Sequence, residues 1–343
     1  MPTRVVCFGE IMLRLSPPGF ERLLQSPVLG ATFGGGEANV AVTLAQFGLD
    51  SYYVTRLPAH EIGEAAIKAL RAEGVRTDYI VRGGDRIGVY YAEAGASQRA
   101  STVIYDRARS AISEMEADAV DWPTVFAGAQ WYHVTGITPA LGEKGIASTA
   151  RSLKAARAAG VRVSVDLNFR KKLWTEKQAQ AVMGPLMRDV DVVIANEEDL
   201  QSVLGVHVPG TDVTSGQLNL AGFQEAAERV TRDFGPPMVA ITLRESTSAS
   251  DNGWSAALWD ASTKTMHRSQ RYDVRLVDRI GGGDSFAGGL IYGLVTGRTP
   301  LEALRFAVAA SALKQTIPGD FNRVTVAEVD RLAGGDASGR VQR

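Results

Sequence analysis

Gly281-Gly282-Gly283-Asp284 sets three glycines directly before a carboxylate, and Phe286, Leu290 and Leu294 follow at four-residue steps. That spacing predicts an amphipathic helix beginning at the glycines. Glycine lets backbone N–H groups approach a ligand closely. A helix start leaves N–H groups unpaired and points the positive end of its dipole the same way. Together these make an anion hole with Asp284 at its rim. A carboxylate holds an anion poorly but can take a proton beside one. The chemistry implied is a hydroxyl attacking a phosphoryl group, with Asp284 as base and the N–H groups of Gly281, Gly282 and Gly283 absorbing the charge. Read without chemistry, the same residues are a tight turn and an N-cap, so the elements around them must decide.

A second glycine-rich stretch, Gly34-Gly35-Gly36-Glu37-Ala38-Asn39, opens a helix carrying Val40, Leu44 and Phe47. Before it, a buried strand over 4–10 is followed by an alternating strand over 11–16 and a return through 28–33. Strand 51–57 and helix 61–73 come next. Residues 86–107 then break the alternation with two β-prone runs, 89–91 and 103–105, around a Gly-Ala-Ser-Gln loop. From residue 130 strands and helices alternate steadily: strands at 131–134, 161–166, 190–194 and 238–243, helices at 143–159, 175–188, 197–204 and 220–233. Antiparallel edge strands are expected near 254–259 and 266–272, and a further helix over 300–315. The pattern predicts an α/β fold: a mostly parallel central sheet with helices on both faces, plus a small β-strand lid. It reads as one domain over 1–333, with the lid over roughly 11–33 and 86–107 and a flexible tail over 334–343.

Open α/β sheets bind ligands at the carboxyl ends of their strands. Asp166-Leu167-Asn168-Phe169-Arg170, Asn196-Glu197-Glu198-Asp199 and Thr242-Leu243-Arg244-Glu245 each follow a strand, as does the Gly281–Asp284 loop. Each alone reads as a helix cap or a solvated loop; four together at one end of one sheet read as a site. The 343 residues carry a formal net charge of -1, with 45% hydrophobic and 22% charged residues. That fits a globular protein with a sizeable core and offers no basic field for nucleic acid or an acidic membrane. No apolar stretch approaches a membrane span. The single cysteine, Cys7, lies in an apolar run and reads as a buried strand residue. His60, His133, His207 and His267 lack zinc spacing. With a strand starting within a few residues of the N-terminus, no secretory signal is expected, and the setting is taken as reducing and cytoplasmic.

Gly34–Asn39 with its helix, and Asp278 through Gly289, resemble the two signatures of the ribokinase-like (PfkB) carbohydrate kinases. The resemblance covers nearly the whole chain. Gly282 stands where the family's G-A-G-D core has alanine. Within the family the chain is most similar to the 2-keto-3-deoxygluconate kinases, through Gly9–Pro18, Gly95–Arg99, Val103–Arg107, Asp166–Arg170, Thr242–Glu245 and Ile317–Phe321. The resemblance implies ATP-dependent phosphorylation of a sugar acid, with Asp284 as base on the terminal hydroxyl and Gly281–Gly283 as anion hole. Gly35, Gly36, Glu37 and Asn39 would line the sugar pocket, and Tyr90 and Tyr105 would close it from the lid. Arg107 and Arg170 would grip the sugar's carboxylate with bidentate forks, though Arg170 equally suits an ATP phosphate. Asn168, Arg170, Asn196, Thr242, Arg244, Gly253, Gly281 and Gly283 would contact the nucleotide, the segment 244–253 as a serine-rich loop.

Asn196 and the acids after it are similar to the family's N-x-x-E motif, with Asp199 in the glutamate's place. Glu197, Glu198 and Asp199 are all candidates to organise Mg2+ through water, Glu198 and Asp199 foremost. Asp278 lies where relatives bind a monovalent cation, K+ among them. Related kinases bury their lid edges against a partner's, so a homo-oligomer, a dimer in its simplest form, is expected through the β lid. Two other readings of the acceptor and the activity are a neutral ketose such as fructose, and a non-catalytic sugar-binding regulator. A nicotinamide oxidoreductase is disfavoured, because Gly9-Glu10-Ile11-Met12-Leu13-Arg14 stands where G-x-G-x-x-G should open the first helix.

Overall fold

Strands that are apolar on both sides can be buried only if helices cover both faces of their sheet. The computed structural model, which describes residues 3–210 and 219–339, is built this way. Its strands are β1 (Arg4–Phe8), β2 (Met12–Ser16), β3 (Gly30–Gly34), β4 (Asp50–Leu57), β5 (Ile80–Arg82), β6 (Gly88–Glu93) and β7 (Thr102–Asp106). They continue with β8 (Ala129–Thr135), β9 (Arg162–Asp166), β10 (Val192–Ala195), β11 (Met238–Ser246), β12 (Asp251–Asp260), β13 (Thr265–Arg268) and β14 (Tyr272–Arg275). The helices are α1 (Gly36–Gln46), α2 (Glu61–Ala72), α3 (Trp122–Phe126), α4 (Ile137–Ala140), α5 (Glu143–Ala158) and α6 (Glu176–Leu186). After them come α7 (Glu197–Leu204), α8 (Leu220–Phe234), α9 (Gly282–Val295), α10 (Pro300–Lys314) and α11 (Val326–Ala333).

The main sheet runs β13-β12-β11-β10-β9-β8-β1-β4-β5, with β14 also paired to β12. From β11 to β5 every pairing is parallel, and β12, β13 and β14 add an antiparallel edge. Alternation along β1 sends Val6 and Phe8 into one core, with Val163, Val193 and Phe223. Val5 and Cys7 go to the other face, with Leu44, Leu290 and Val308 of α1, α9 and α10. The chain leaves β1 toward β4 on one side and returns to β8 on the other. The crevice at the carboxyl ends of β1 and β8 is therefore the topological switch point, where such sheets bind ligands. β2, β3, β6 and β7 form the separate small sheet, ordered β3-β2-β6-β7, with β2 and β6 parallel.

Three departures from the sequence reading have plain causes. β5, α3 and α4, of three to five residues, are below the length at which periodicity is legible, and the eight-residue α11 lies between the last expected helix and the expected tail. The strand expected over 266–272 is two strands, parted at Ser269, whose hydroxyl accepts from Ala256 N–H. The serine-rich loop expected over 244–253 is an antiparallel hairpin: Arg244 pairs with Trp254 and Glu245 with Gly253, and only the tip at 247–250 turns. The last four residues of the expected tail, 340–343, lie outside the described residues.

Candidate active site

Helix α9 begins at the glycine run. Gly281, its N-cap, has φ 83°, and a Cβ there would stand 2.1 Å from the Asp320 carbonyl oxygen, so only glycine fits. The first i→i−4 bond of the helix is Ser285 N–H to Gly281 O. The N–H groups of Gly283 and Asp284 have no acceptor among the described residues. Gly283 is exposed, with open space where a Cβ would be, so the helix start is uncovered on this side.

The α1 start meets α9 at this point. Gly35 N–H donates to Asn39 Oδ1 at 3.2 Å, which fixes the amide's orientation, and Asn39 Nδ2 donates to Asp284 Oδ2 at 2.6 Å. A Cβ on Gly36 would lie 3.7 Å from the other oxygen, Oδ1. Desolvation raises the Asp284 pKa from 3.8 to about 6, against the opposing pull of Asn39 and of Arg170. An ionised carboxylate near neutral pH beside free backbone donors is the arrangement a general base needs.

The structure redistributes other expected roles. Glu37 is buried, and its Oε1 accepts from Thr135 N–H, Thr135 Oγ1 and Thr138 Oγ1 at 2.8–3.1 Å. It ties α1 to the end of β8 rather than facing a sugar, and burial raises its pKa. Asn39 is buried, with its amide engaged by Gly35 N–H and Asp284. Arg107 is not a free fork: Nε and Nη2 both donate to Glu10 Oε2 in a buried ion pair, with its guanidinium 5.4 Å from the Tyr105 ring centroid. Tyr90 is buried and donates to Asp320 Oδ2, packed 6.0 Å from half-exposed Tyr105. Arg170 is exposed and makes no ion pair among the described residues, yet its charge partly offsets the rise that burial gives the pKa of Asp166, Asp199 and Asp284.

After β10, Asn196 and Asp199 form a capping box for α7. Asn196 Oδ1 accepts from Asp199 N–H at 2.8 Å, and Asp199 accepts from Asn196 N–H and Phe169 N–H. Both Asp199 oxygens are thus committed to backbone, and burial lifts its pKa to about 6. Of the three acids, Glu198 alone is exposed. No cluster of three or more His, Cys, Asp or Glu side chains suited to a metal exists among the described residues. Asn168 holds φ 40° and caps onto Asp166 Oδ1 through its N–H. Thr242 Oγ1 donates to Ala195 O, while Arg244 is exposed and unpaired among the described residues. Gly253 is no phosphate cradle: it is buried in mid-strand, and a Cβ would strike the Arg271 guanidinium at 2.4 Å.

Four residues of this neighbourhood escaped the sequence reading. Arg14 of β2 donates to Asp320 Oδ1 at 2.6 Å and Asp278 Oδ2 at 2.7 Å, linking the lid to the loop before α9. Asp320 also receives Tyr90, Glu10 holds Arg107, and Lys314 lies under the glycine loop. The family-like stretches Gly9–Pro18 and Ile317–Phe321 contain Glu10, Arg14 and Asp320 without assigning them roles, and the alternation over Met12–Ser16 places Arg14 on a definite face of its strand.

Against known proteins, residues 2–322 match the model of the pfkB family carbohydrate kinases. The chain is 35% identical over 342 residues to a 2-dehydro-3-deoxygalactonokinase of Haloferax volcanii, covering 98% of this chain and 99% of that one. It is 28% identical to a 2-dehydro-3-deoxygluconokinase of Thermoproteus tenax, over 92% and 89% of the two chains. The crystal structure of 2-dehydro-3-deoxygluconokinase from Thermotoga maritima superposes with TM-score 0.93 at 51% identity, covering 97% of this chain and 100% of that one. With a family match over most of its length and these relatives beside it, the chain belongs to the pfkB family of carbohydrate kinases.

Proposed function

We propose that this kinase transfers the γ-phosphoryl group of ATP to the terminal hydroxyl of 2-keto-3-deoxygluconate, giving the 6-phosphate and ADP. The observation that carries the chemistry is the Asn39–Asp284 bond of 2.6 Å beside the unpaired N–H groups of α9. Asp284, ionised above about pH 6, takes the proton of the attacking hydroxyl. The N–H groups of Gly283 and Asp284, with the helix dipole behind them, receive the charge on the transferring phosphoryl.

Support for an acidic acceptor comes from Arg170, the exposed guanidinium whose field reaches Asp284. It supplies a two-pronged partner for a carboxylate. Arg107 would join it only by leaving Glu10. The names of the Thermoproteus and Thermotoga relatives point the same way. The Haloferax relative's name favours the galactonate epimer as a second acceptor. Mg2+ binds largely through nucleotide phosphates rather than a protein cage, and exposed Glu198 is the acid we assign to hold its waters, where the ion would offset phosphate charge. Phe20, Leu24, Val28 and Ile104 leave the lid region with exposed apolar side chains, 49–78% accessible, which a second copy of the chain would cover. Buried, unpaired Cys7 accords with a reducing cytoplasm.

A coupled assay of ADP formation against 2-keto-3-deoxygluconate, its galactonate epimer, fructose and ribose tests the reading. Turnover on the keto-deoxy acids, lost by about 10²-fold in kcat/KM in Arg170→Ala, supports it. Preference for fructose, indifferent to Arg170→Ala, would replace the acid with a neutral ketose.

A further inference from the structure

Lys314, the last residue of α10, has no solvent exposure at all. Its ammonium makes no ion pair with a carboxylate among the described residues. Instead Nζ donates to the carbonyl oxygens of Asp278, at 3.2 Å, and Ile280. Both carbonyls belong to the loop that becomes the anion hole. A buried cation is costly unless something requires it, and the geometry here shows what it does. The Ile280 carbonyl is the i−4 acceptor that Asp284 N–H would otherwise find, yet no such bond forms. Because a trans peptide holds C=O and N–H on opposite sides, turning the Ile280 carbonyl toward Lys314 points Gly281 N–H the other way.

Two further residues at the end of α10 anchor the loop. Ser311 Oγ donates to Gly282 O at 2.7 Å, and Gln315 O accepts from Val277 and Asp278 N–H. The charged groups around the ammonium are Asp278, Asp320, Asp284 and Arg14. The Asp278 carboxylate is already engaged by Arg14 Nη2, Gly319 N–H and Ile280 N–H. A free monovalent cation at Asp278, which the family resemblance raises, therefore finds its backbone carbonyls occupied by an ammonium.

We infer that Lys314 is a built-in monovalent cation: a positioning residue that draws the Asp278 and Ile280 carbonyls back, frees the Gly281 and Asp284 N–H groups for the phosphoryl, and makes turnover independent of added K+. This rests on the reading of the loop as the phosphoryl site, and the test separates the two.

Wild-type enzyme freed of monovalent metal ions is assayed in K+, Na+, NH4+ or choline chloride at equal ionic strength. Rates agreeing within about 2-fold are expected, whereas activation by K+ of about 10-fold or more would overturn the inference alone. Absence of turnover with every sugar and every cation would sink the underlying reading as well. In Lys314→Met, kcat should fall about 10²-fold with the sugar KM little changed, and about 0.1 M K+ or NH4+, but not choline, should restore at least part of it. A variant with wild-type kcat, or a loss that no cation recovers, contradicts the role. Should Lys314→Met fail to fold, the wild-type cation series decides by itself.

Discussion

The two glycine-rich helix starts look alike in sequence and do opposite things. At α1 the glycines make room for packing: a Cβ on Gly34 would stand 2.2 Å from the Asp320 carboxylate, and one on Gly35 2.0 Å from Glu10 O. Gly35 is extended, at φ 172°, so tight contact rather than backbone strain selects glycine there. Its N–H is consumed by Asn39. At α9, Gly281 needs its left-handed φ, but a Cβ on Gly283 would meet nothing within 4 Å, and its N–H has no acceptor among the described residues. One start is closed on itself and delivers Asn39; the other is open and delivers donors. Glycine content alone does not make an anion hole. What matters is where the N–H groups end up.

Several substitutions would break or sharpen this contrast. The largest effect is expected from Asp284→Asn: kcat lower by about 10³-fold, with nucleotide and sugar binding retained by calorimetry. Burial raises this carboxyl's folded pKa from 3.8 to about 6, so its ionisation works against folding as pH rises through that window. Above it the variant should melt no lower than wild type. Next, Gly283→Val puts a side chain into open space at the donors and should cost about 10²-fold in kcat/KM at nearly unchanged melting temperature. Gly35→Ala, by contrast, forces backbone apart and should lose about 3 kcal/mol of stability in denaturant titration. Equal behaviour of these two variants would erase the distinction between the starts.

Asn39→Ala removes the donor that favours ionised Asp284, so the acid limb of kcat/KM, expected near pH 6 in wild type, should move upward. Activity would then be lost near neutral pH and regained at higher pH. Smallest of all is Gly282→Ala, which restores the residue common in the family. Its Cβ would meet only the Gln315 side chain, at 3.0 Å, and the rate should stay within about 3-fold of wild type.

The sheet, its helices and the lid strands were legible because each spans enough residues for period 2 or 3.6 to appear. Positions of groups at strand ends were legible too, for the same topological reason. Partnerships were not. Nothing in the spacing of Glu10 and Arg107, 97 residues apart, announces a buried ion pair. Nor does a lysine at the end of an apolar helix advertise that it reaches two carbonyls beneath a loop more than 30 residues earlier. Glu37, read as a ligand for sugar, is held by Thr135 and Thr138, residues about 100 positions away that alternation could not connect to it. The hairpin over 244–253 was mistaken for a loop because Ser246–Ser250 carries turn residues, while pairing of the flanks is a property of the partner strand.

The central claim is tested most directly by the crystal structure of the ternary complex with a non-hydrolysable ATP analogue and 2-keto-3-deoxygluconate. An Asp284 carboxylate oxygen is expected within about 3.2 Å of the sugar's terminal hydroxyl, with the γ-phosphate seated on the N–H groups of Gly283 and Asp284. A complex with the terminal phosphate elsewhere, or with Asp284 out of reach of the acceptor hydroxyl, would contradict it.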